Sequence, residues 1–324
     1  MRVYASSVQQ IIDAINSPTT TEISLAPGTY EISAAYSGLS AFPLITGGRK
    51  LIVFGNNAAI VRNSGASNFR FFELQNAQLT LNNLTLRNGK LETTSSEIDG
   101  GAIAVTQTSE SGIETILTIQ DCIFDSNSAT STGAGQAYGG AISIVGFYSQ
   151  GGNKGRIVVR DSTFEANHAK TGGAIRIINV NTAGCFNTVF EDNSATDNGG
   201  AIQAVGGTSI LAIGECLFSK NAANDGGAIY NQGINMVVTA SEFTENEAEI
   251  AAAIKRTNVT QVSIVQNCSI HDNVVGSAEG TVVQVDGSTH MNARLCWWGD
   301  PTGPNGVGPG SGDSVSASVD YSPF

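Results

Sequence analysis

Two short motifs alternate along most of this chain, and together they leave few folds open. The tetrapeptide Gly-Gly-Ala-Ile begins at Gly100, Gly139, Gly172, Gly199 and Gly226, with a degenerate copy over Ala251, Ala252, Ala253 and Ile254. Interleaved with it is Phe-x-x-Asn, as Phe124/Asn127, Phe164/Asn167, Phe190/Asn193, Phe218/Asn221 and Phe243/Asn246. Ile270/Asn273 continues the series and Trp298 fills the last Phe slot; from Phe164 the steps are 26, 28, 25, 27 and 28 residues. A fixed period of this size is the mark of a repeat architecture. The segments between motifs alternate apolar and polar, as in Leu117, Ile119, Cys122 and Phe124, and period two in short runs broken by Gly and Asn reads as strand. A unit of two or three short strands cannot bury its apolar face alone, whereas stacked units can. The expected fold is therefore all-β, a β-helix with each strand paired in parallel to the next turn. At about 4.8 Å per turn, some eight turns make a rod on the order of 40 Å.

Register sorts residues into columns. The Phe slots point inward, and so do the positions two before them: Cys122, Ser162, Thr188, Cys216, Ser241, Cys268 and Cys296. Small buried thiols pack well in such a column, and a bridge between Cys268 and Cys296 on adjacent turns is an option. The Asn column falls where the strand must bend, where Asn tolerates left-handed geometry and stacked amides can bond from turn to turn. The Gly pairs permit tight corners. These repeated residues read as structural.

Composition narrows the partners. The formal charge is −12 with only 16 Lys and Arg in 324 residues, so nucleic acid, which needs clustered cations, is not an expected partner. No apolar run reaches the length of a membrane-spanning helix, and residues 1–15 lack the pattern of a signal peptide. Five cysteines, spread thinly, exclude a disulfide framework.

On these motifs the chain resembles the polymorphic outer-membrane-protein repeat and looks like a right-handed parallel β-helix of the pectate-lyase-like superfamily. The likeness extends to both ends. Residues 7–16 carry Val8, Ile11, Ile12 and Ile15 at helical spacing, resembling the short N-terminal helix that caps such solenoids. Trp297, Trp298, Gly299 and the Pro/Gly-rich segment after them resemble a closing turn. The expected organisation is one β-helix domain over 1–324, with cap and first turns at 1–78, repeats at 79–298 and a closing segment at 299–324. The superfamily implied by the resemblance includes polysaccharide lyases and hydrolases as well as adhesin-like scaffolds without catalysis, so the fold does not choose the activity.

Chemistry then belongs to outward columns and inserted loops. Around the Phe slots the outward positions hold Asp121, Asp125, Asp161, Glu165 and Glu191. Stacked carboxylates of this kind either bind Ca²⁺, which takes six to eight oxygens, or form a solvated face relieved by Arg160 and Lys220. A second outward column follows the Gly-Gly-Ala-Ile strand: Ala104, Ser143, Arg176, Gln203, Tyr230 and Lys255, with Arg256 beside it. Arg176, Tyr230 and Lys255 suit β-elimination on a uronate, where a carboxylate is neutralised and a proton removed. Gln203 and Arg256 suit saccharide binding. Asp197 and Asp225, on adjacent turns, are the one carboxyl pair placed for a hydrolase. Between Phe124 and Phe164 the repeat lengthens to 40 residues, and the excess falls at 128–138 and 146–155. Phe147, Tyr148 and Lys154 give the second insertion an aromatic, cationic character, and one of these insertions is expected to wall a sugar site.

Two readings of function stay open. One is a secreted or surface-displayed, adhesin-like scaffold that binds polysaccharide or a cell-surface glycan without cleaving it, needing no cofactor, as a monomer or part of a larger surface protein. The other is a pectate-lyase-like polysaccharide lyase acting on an acidic polysaccharide, with Ca²⁺ as an optional ion.

Overall fold

The computed structural model describes residues 1–94, 96–108, 113–147, 154–206, 210–258, 263–287 and 290–324. The chain winds as a right-handed parallel β-helix with three strand-built faces. One coil shows the pattern: a strand Arg156–Arg160, a bend, a short strand Thr163–Glu165, a second bend, a strand His168–Thr171, the Gly172–Gly173 corner, and a strand Ile175–Ile178. Register is kept from coil to coil, so that Phe124, Phe164, Phe190, Phe218 and Phe243 lie on one line.

The column is longer than the motif count suggests. Twelve strands stack in register, from Arg2 through Glu22, Ile52, Thr80 and Thr118 up to Asn292 and Asp320. Eleven steps of about 4.8 Å give a rod of roughly 53 Å rather than 40 Å. The first coils lack the motif because they bend differently. Strands Lys50–Arg62 and Gln78–Arg87 run through the bend as single bulged strands.

Two stacks hold the interior. The Phe rings lie face to face, with centroids 4.7–5.1 Å apart and planes within 14°. Each ring is fully buried, a gain of about 1.5–3 kcal/mol. Beside them runs a ladder of buried amides. Asn193 Nδ2 donates to Asn221 Oδ1 at 3.0 Å and to the Phe164 carbonyl at 2.9 Å, while its Oδ1 accepts from the Asn167 backbone and side chain. The same bonds recur from Asn127 to Asn273, and Asp313 closes the series by accepting from Asn273 Nδ2 at 2.7 Å.

The left-handed residue at this bend is not the Asn itself. It is the residue before it, Ser126, Ala166, Asp192, Lys220, Glu245 or Asp272, with φ between 53° and 59°. The other bend puts Asp121, Asp161, Asn187, Glu215, Ala240, Asn267 and Leu295 in the same region. That placement frees each Asn side chain to turn inward and bond along the axis. At the third corner the first Gly of each pair has φ of 63–68°, and a Cβ there would sit 2.0–2.6 Å from the carbonyl oxygen of the Ile three residues on. Ala251 takes this position in the degenerate repeat, with φ 61°.

The ends follow the sequence pattern. The helix Val8–Asn16 starts at Ser7, whose side chain accepts from the Gln10 backbone, and buries Ile11, Ala14 and Ile15 on the first coil. At the other end Trp298 is fully buried, and strands Gly312–Val315 and Val319–Asp320 add to the last coil. All five cysteines are buried free thiols, Cys268 and Cys296 included. Among the described residues no helix is long and apolar enough to cross a membrane.

Candidate functional site

The outward column predicted from the Gly-Gly-Ala-Ile strand exists in register: Ala104, Ser143, Arg176, Gln203, Tyr230, Lys255 and then Gln284. Its side chains face away from the core and yet are largely covered. Ser143 is fully buried, Lys255 is 5% exposed and Gln203 8%. The Gly corner explains this, because it folds the chain back so that the residue just before each pair stands against the column. These residues form a second line in register, Asp99, Tyr138, Thr171, Asn198, Asp225 and Ile250. The two lines make the floor and wall of a polar groove parallel to the rod axis. From Ser143 to Gln284 it covers five strand spacings, about 24 Å.

The groove is braced at its lower end. Asp99 Oδ1 accepts from Ser143 Oγ at 2.7 Å and pairs with Arg176 Nη1 at 2.9 Å. The Arg176 guanidinium lies 3.5 Å from the centroid of the Tyr138 ring, a cation–π contact. Burial pushes the Tyr138 hydroxyl upward, with Arg176 opposing. Tyr138 ends the first of the two insertions. That insertion folds as strands Ser128–Ser131 and Gln136–Tyr138 on Lys90–Thr93 and Glu97–Asp99, around a small core of Leu91, Ile98, Ala129 and Ala137. It therefore walls the groove.

At the upper end Lys255 Nζ pairs with Asp286 at 2.7 Å, and Gln284 Nε2 donates to the same carboxylate. Burial acts against the Asp286 charge, but these bonds hold its carboxyl below the usual range. Asp225 goes the other way. Burial raises it, Lys255 opposes the rise and Asp286 adds to it.

Several polar atoms of the groove are buried with no protein partner: Thr171 Oγ1, Arg176 Nε, Asp225 Oδ1 and Gln284 Oε1. The Gln203 amide also makes no side-chain hydrogen bond among the described residues. An unpartnered buried polar group costs about 1–3 kcal/mol, so these four atoms, two on each line of the groove, leave hydrogen-bonding capacity unmet by the protein.

The remaining sequence-derived residues fall elsewhere. Arg256 is not on the groove. Period-two alternation turns it inward, in register with Asn231, where it is fully buried and donates to the His290 carbonyl at 3.1 Å. Arg176 and Lys255 do not converge, since three strand spacings, about 14 Å, separate them. Asp197 and Asp225 are not register partners, because a bulge sets Asn198 opposite Asp225 and Asp197 turns to Lys170 at 3.9 Å. Phe147 and Lys154 exchange backbone hydrogen bonds of 3.0 Å and form the base of the second insertion. Tyr148 lies outside the described residues.

Of the acidic column, Asp121 and Asp161 sit at the left-handed bend, while Asp125, Glu165 and Glu191 end the short strands that follow it. Asp161 accepts from Gln120 and Asn187 at 2.6 Å, and first the Asn187 bond, then that of Gln120, draws its carboxyl below the usual value. Asp125 pairs with Arg87 at 2.6 Å and Glu191 with Lys220 at 3.3 Å, while Glu165 is exposed. Among the described residues no group of three or more His, Cys, Asp or Glu is placed to hold a metal ion.

Comparison with known families picks out two of these coils. Residues 187–205 and 215–232 match the model of the Chlamydia polymorphic membrane protein repeat. Each matched segment runs from a left-handed bend through Phe and Asn to the end of the groove strand. No curated protein and no solved structure matches the chain.

Proposed function

We propose that this protein is a surface-displayed, adhesin-like scaffold that binds an extended polysaccharide along the groove and does not cleave it. The observation that carries the reading is the set of buried, unpartnered polar atoms on the two facing lines, Thr171 Oγ1 and Asp225 Oδ1 on one and Arg176 Nε and Gln284 Oε1 on the other. The units of a linear glycan repeat at a spacing comparable to that between strands, so successive sugars can meet successive coils. The polymorphic membrane protein repeat in two coils supports a setting at the cell surface, of the autotransporter kind. The ion pairs favour binding over elimination. Arg176 is engaged by Asp99 and Lys255 by Asp286, and the two cations stand too far apart to act on one sugar ring.

The test is retention on immobilised neutral and uronate polysaccharides, comparing the native protein with Thr171→Val and Gln203→Leu. Each variant removes a ligand-facing polar group worth about 1–1.5 kcal/mol, an affinity loss of roughly five- to tenfold. Binding to none of the panel, or unchanged binding by both variants, overturns the reading. Ultraviolet absorbance from an unsaturated product should stay flat; a rise abolished by Lys255→Ala would establish a lyase instead.

A further inference from the structure

The charges of the groove do not balance. The two cations on its floor are engaged, Arg176 with Asp99 at 2.9 Å and Lys255 with Asp286 at 2.7 Å. Both side chains are largely covered, so neither can turn to a ligand carboxylate without leaving its partner. Lys170, next to Thr171 of the wall, faces Asp197 at 3.9 Å. Asp225 is the carboxylate left over. It makes no ion pair and no side-chain hydrogen bond among the described residues, and its Oδ1 is buried.

Asp225 ends the wall strand Ala222–Asp225, between Asn198 and Ile250 in the wall line. At the equivalent corner Asp99 reaches across to the floor one and two coils further on, to Ser143 and Arg176. The same reach carries Asp225 toward Lys255 and Gln284. Its charge is already opposed by burial and by Asp286. Asp225 Oδ1 and Gln284 Oε1 are both acceptors, and neither has a donor. A hydroxyl group can serve such atoms directly or through water, whereas a carboxylate offers only further acceptors. The coils just below carry no charge on these lines: Asn198 stands on the wall, and Gln203 and Tyr230 on the floor. Each of these three side chains both donates and accepts.

We propose that Asp225 sets the specificity of the groove, admitting neutral glycans and rejecting uronates. This assignment rests on the binding role proposed above and names the ligand class for it. A uronate ring lying across the coil of Asp225 brings its carboxylate within about one to two strand spacings of a like charge. In this half-buried setting the repulsion is worth about tenfold in affinity, and no unpaired cation of the floor offsets it. A neutral sugar in the same place turns a hydroxyl to Asp225 and keeps the amide and phenol contacts of the coils below.

Matched tetramers that differ only in carrying a hydroxymethyl group or a carboxylate test it: galactose against galacturonate, glucose against glucuronate, mannose against mannuronate. Each is titrated into the native protein, Asp225→Asn and Gln203→Leu. At least one neutral tetramer should bind, about tenfold or more tighter than its uronate twin. Asp225→Asn should close the gap to within about threefold by strengthening uronate binding. A variant that merely folds badly loses both twins and gains neither, so this gain separates specificity from structure. Raising salt from about 50 to about 500 mM should narrow the native gap and leave that of Asp225→Asn unchanged. The assignment is overturned if a uronate twin binds the native protein as tightly as the neutral one, or if Asp225→Asn keeps the native gap. Twins that bind alike, and that Gln203→Leu weakens alike, would refute the role of Asp225 and leave the groove standing. Binding by no tetramer, or binding that Gln203→Leu leaves unchanged, would refute the groove and this assignment with it.

Discussion

Replacing Asn193 by Ala tests the amide ladder at its middle. The side chain is fully buried and makes four hydrogen bonds, donating to Asn221 Oδ1 and the Phe164 carbonyl and accepting twice from Asn167. At about 1 kcal/mol net per bond the loss comes to roughly 4 kcal/mol. The Asn167 backbone N–H, whose acceptor is the deleted oxygen, is left buried without a partner and brings the sum toward the upper end of about 3–5 kcal/mol. The Phe stack does not compensate, because Phe190 packs on rings above and below that do not move with the amide. Urea unfolding followed by circular dichroism gives the free energy. Hydrogen exchange at the Asn167 amide shows where it is lost, since coils couple chiefly to their neighbours. Asn187→Ala, at an exposed bend in the same coil, serves as the control. A loss below about 1 kcal/mol for Asn193→Ala, or one no larger than the control, would refute the ladder as a source of stability.

Other consequences are equally open to measurement. Phe190→Ala should cost about 3–5 kcal/mol by cavity formation in the ring stack, against under about 1.5 kcal/mol for Phe190→Leu, read from the same urea curves. Burial raises the Asp313 carboxyl above its ordinary value while Asn273 opposes the rise. The folded state therefore holds the proton more tightly, and this contribution, complete below the unfolded value, fades as pH rises through the folded one. Asp313→Asn should remove that dependence and raise the thermal midpoint at neutral pH; an unchanged or lower midpoint contradicts the assignment. Burial pushes the Cys122 and Cys216 thiols up to about 11, so native protein at pH 8 should resist a thiol reagent that labels all five cysteines once unfolded.

The coil architecture was legible in the sequence because two of the bends and the interior stack each keep one residue type from coil to coil. Gly at the tight corner, Asn turned into the core and Phe in the stack repeat with the period of the coil itself. The first coils were not legible in this way. In Lys50–Arg62 the bend is absorbed by Gly55, Asn56 and Asn57 within one bulged strand, which leaves no recurring motif to count. The polar column from Ser143 to Lys255 was readable from alternation after Ile, and Arg256 was misplaced only by ignoring that alternation one residue further. The wall of the groove was harder. Asp99, Tyr138, Thr171, Asn198 and Asp225 share no residue type, and their common signal is position alone, immediately before each Gly pair. Nothing in the sequence showed that the corner folds them onto the column, which is a property of coils meeting in space.

Recognition along the groove makes binding depend on the length of the glycan. Calorimetric titration with glycan oligomers of increasing size should show affinity rising with each added unit and levelling off at about four to five units, when the five strand spacings of the groove are filled. Thr171→Val should lower the whole curve without moving the plateau. Affinity that saturates at one or two units, or that rises without a plateau, would place recognition outside the groove and contradict the account.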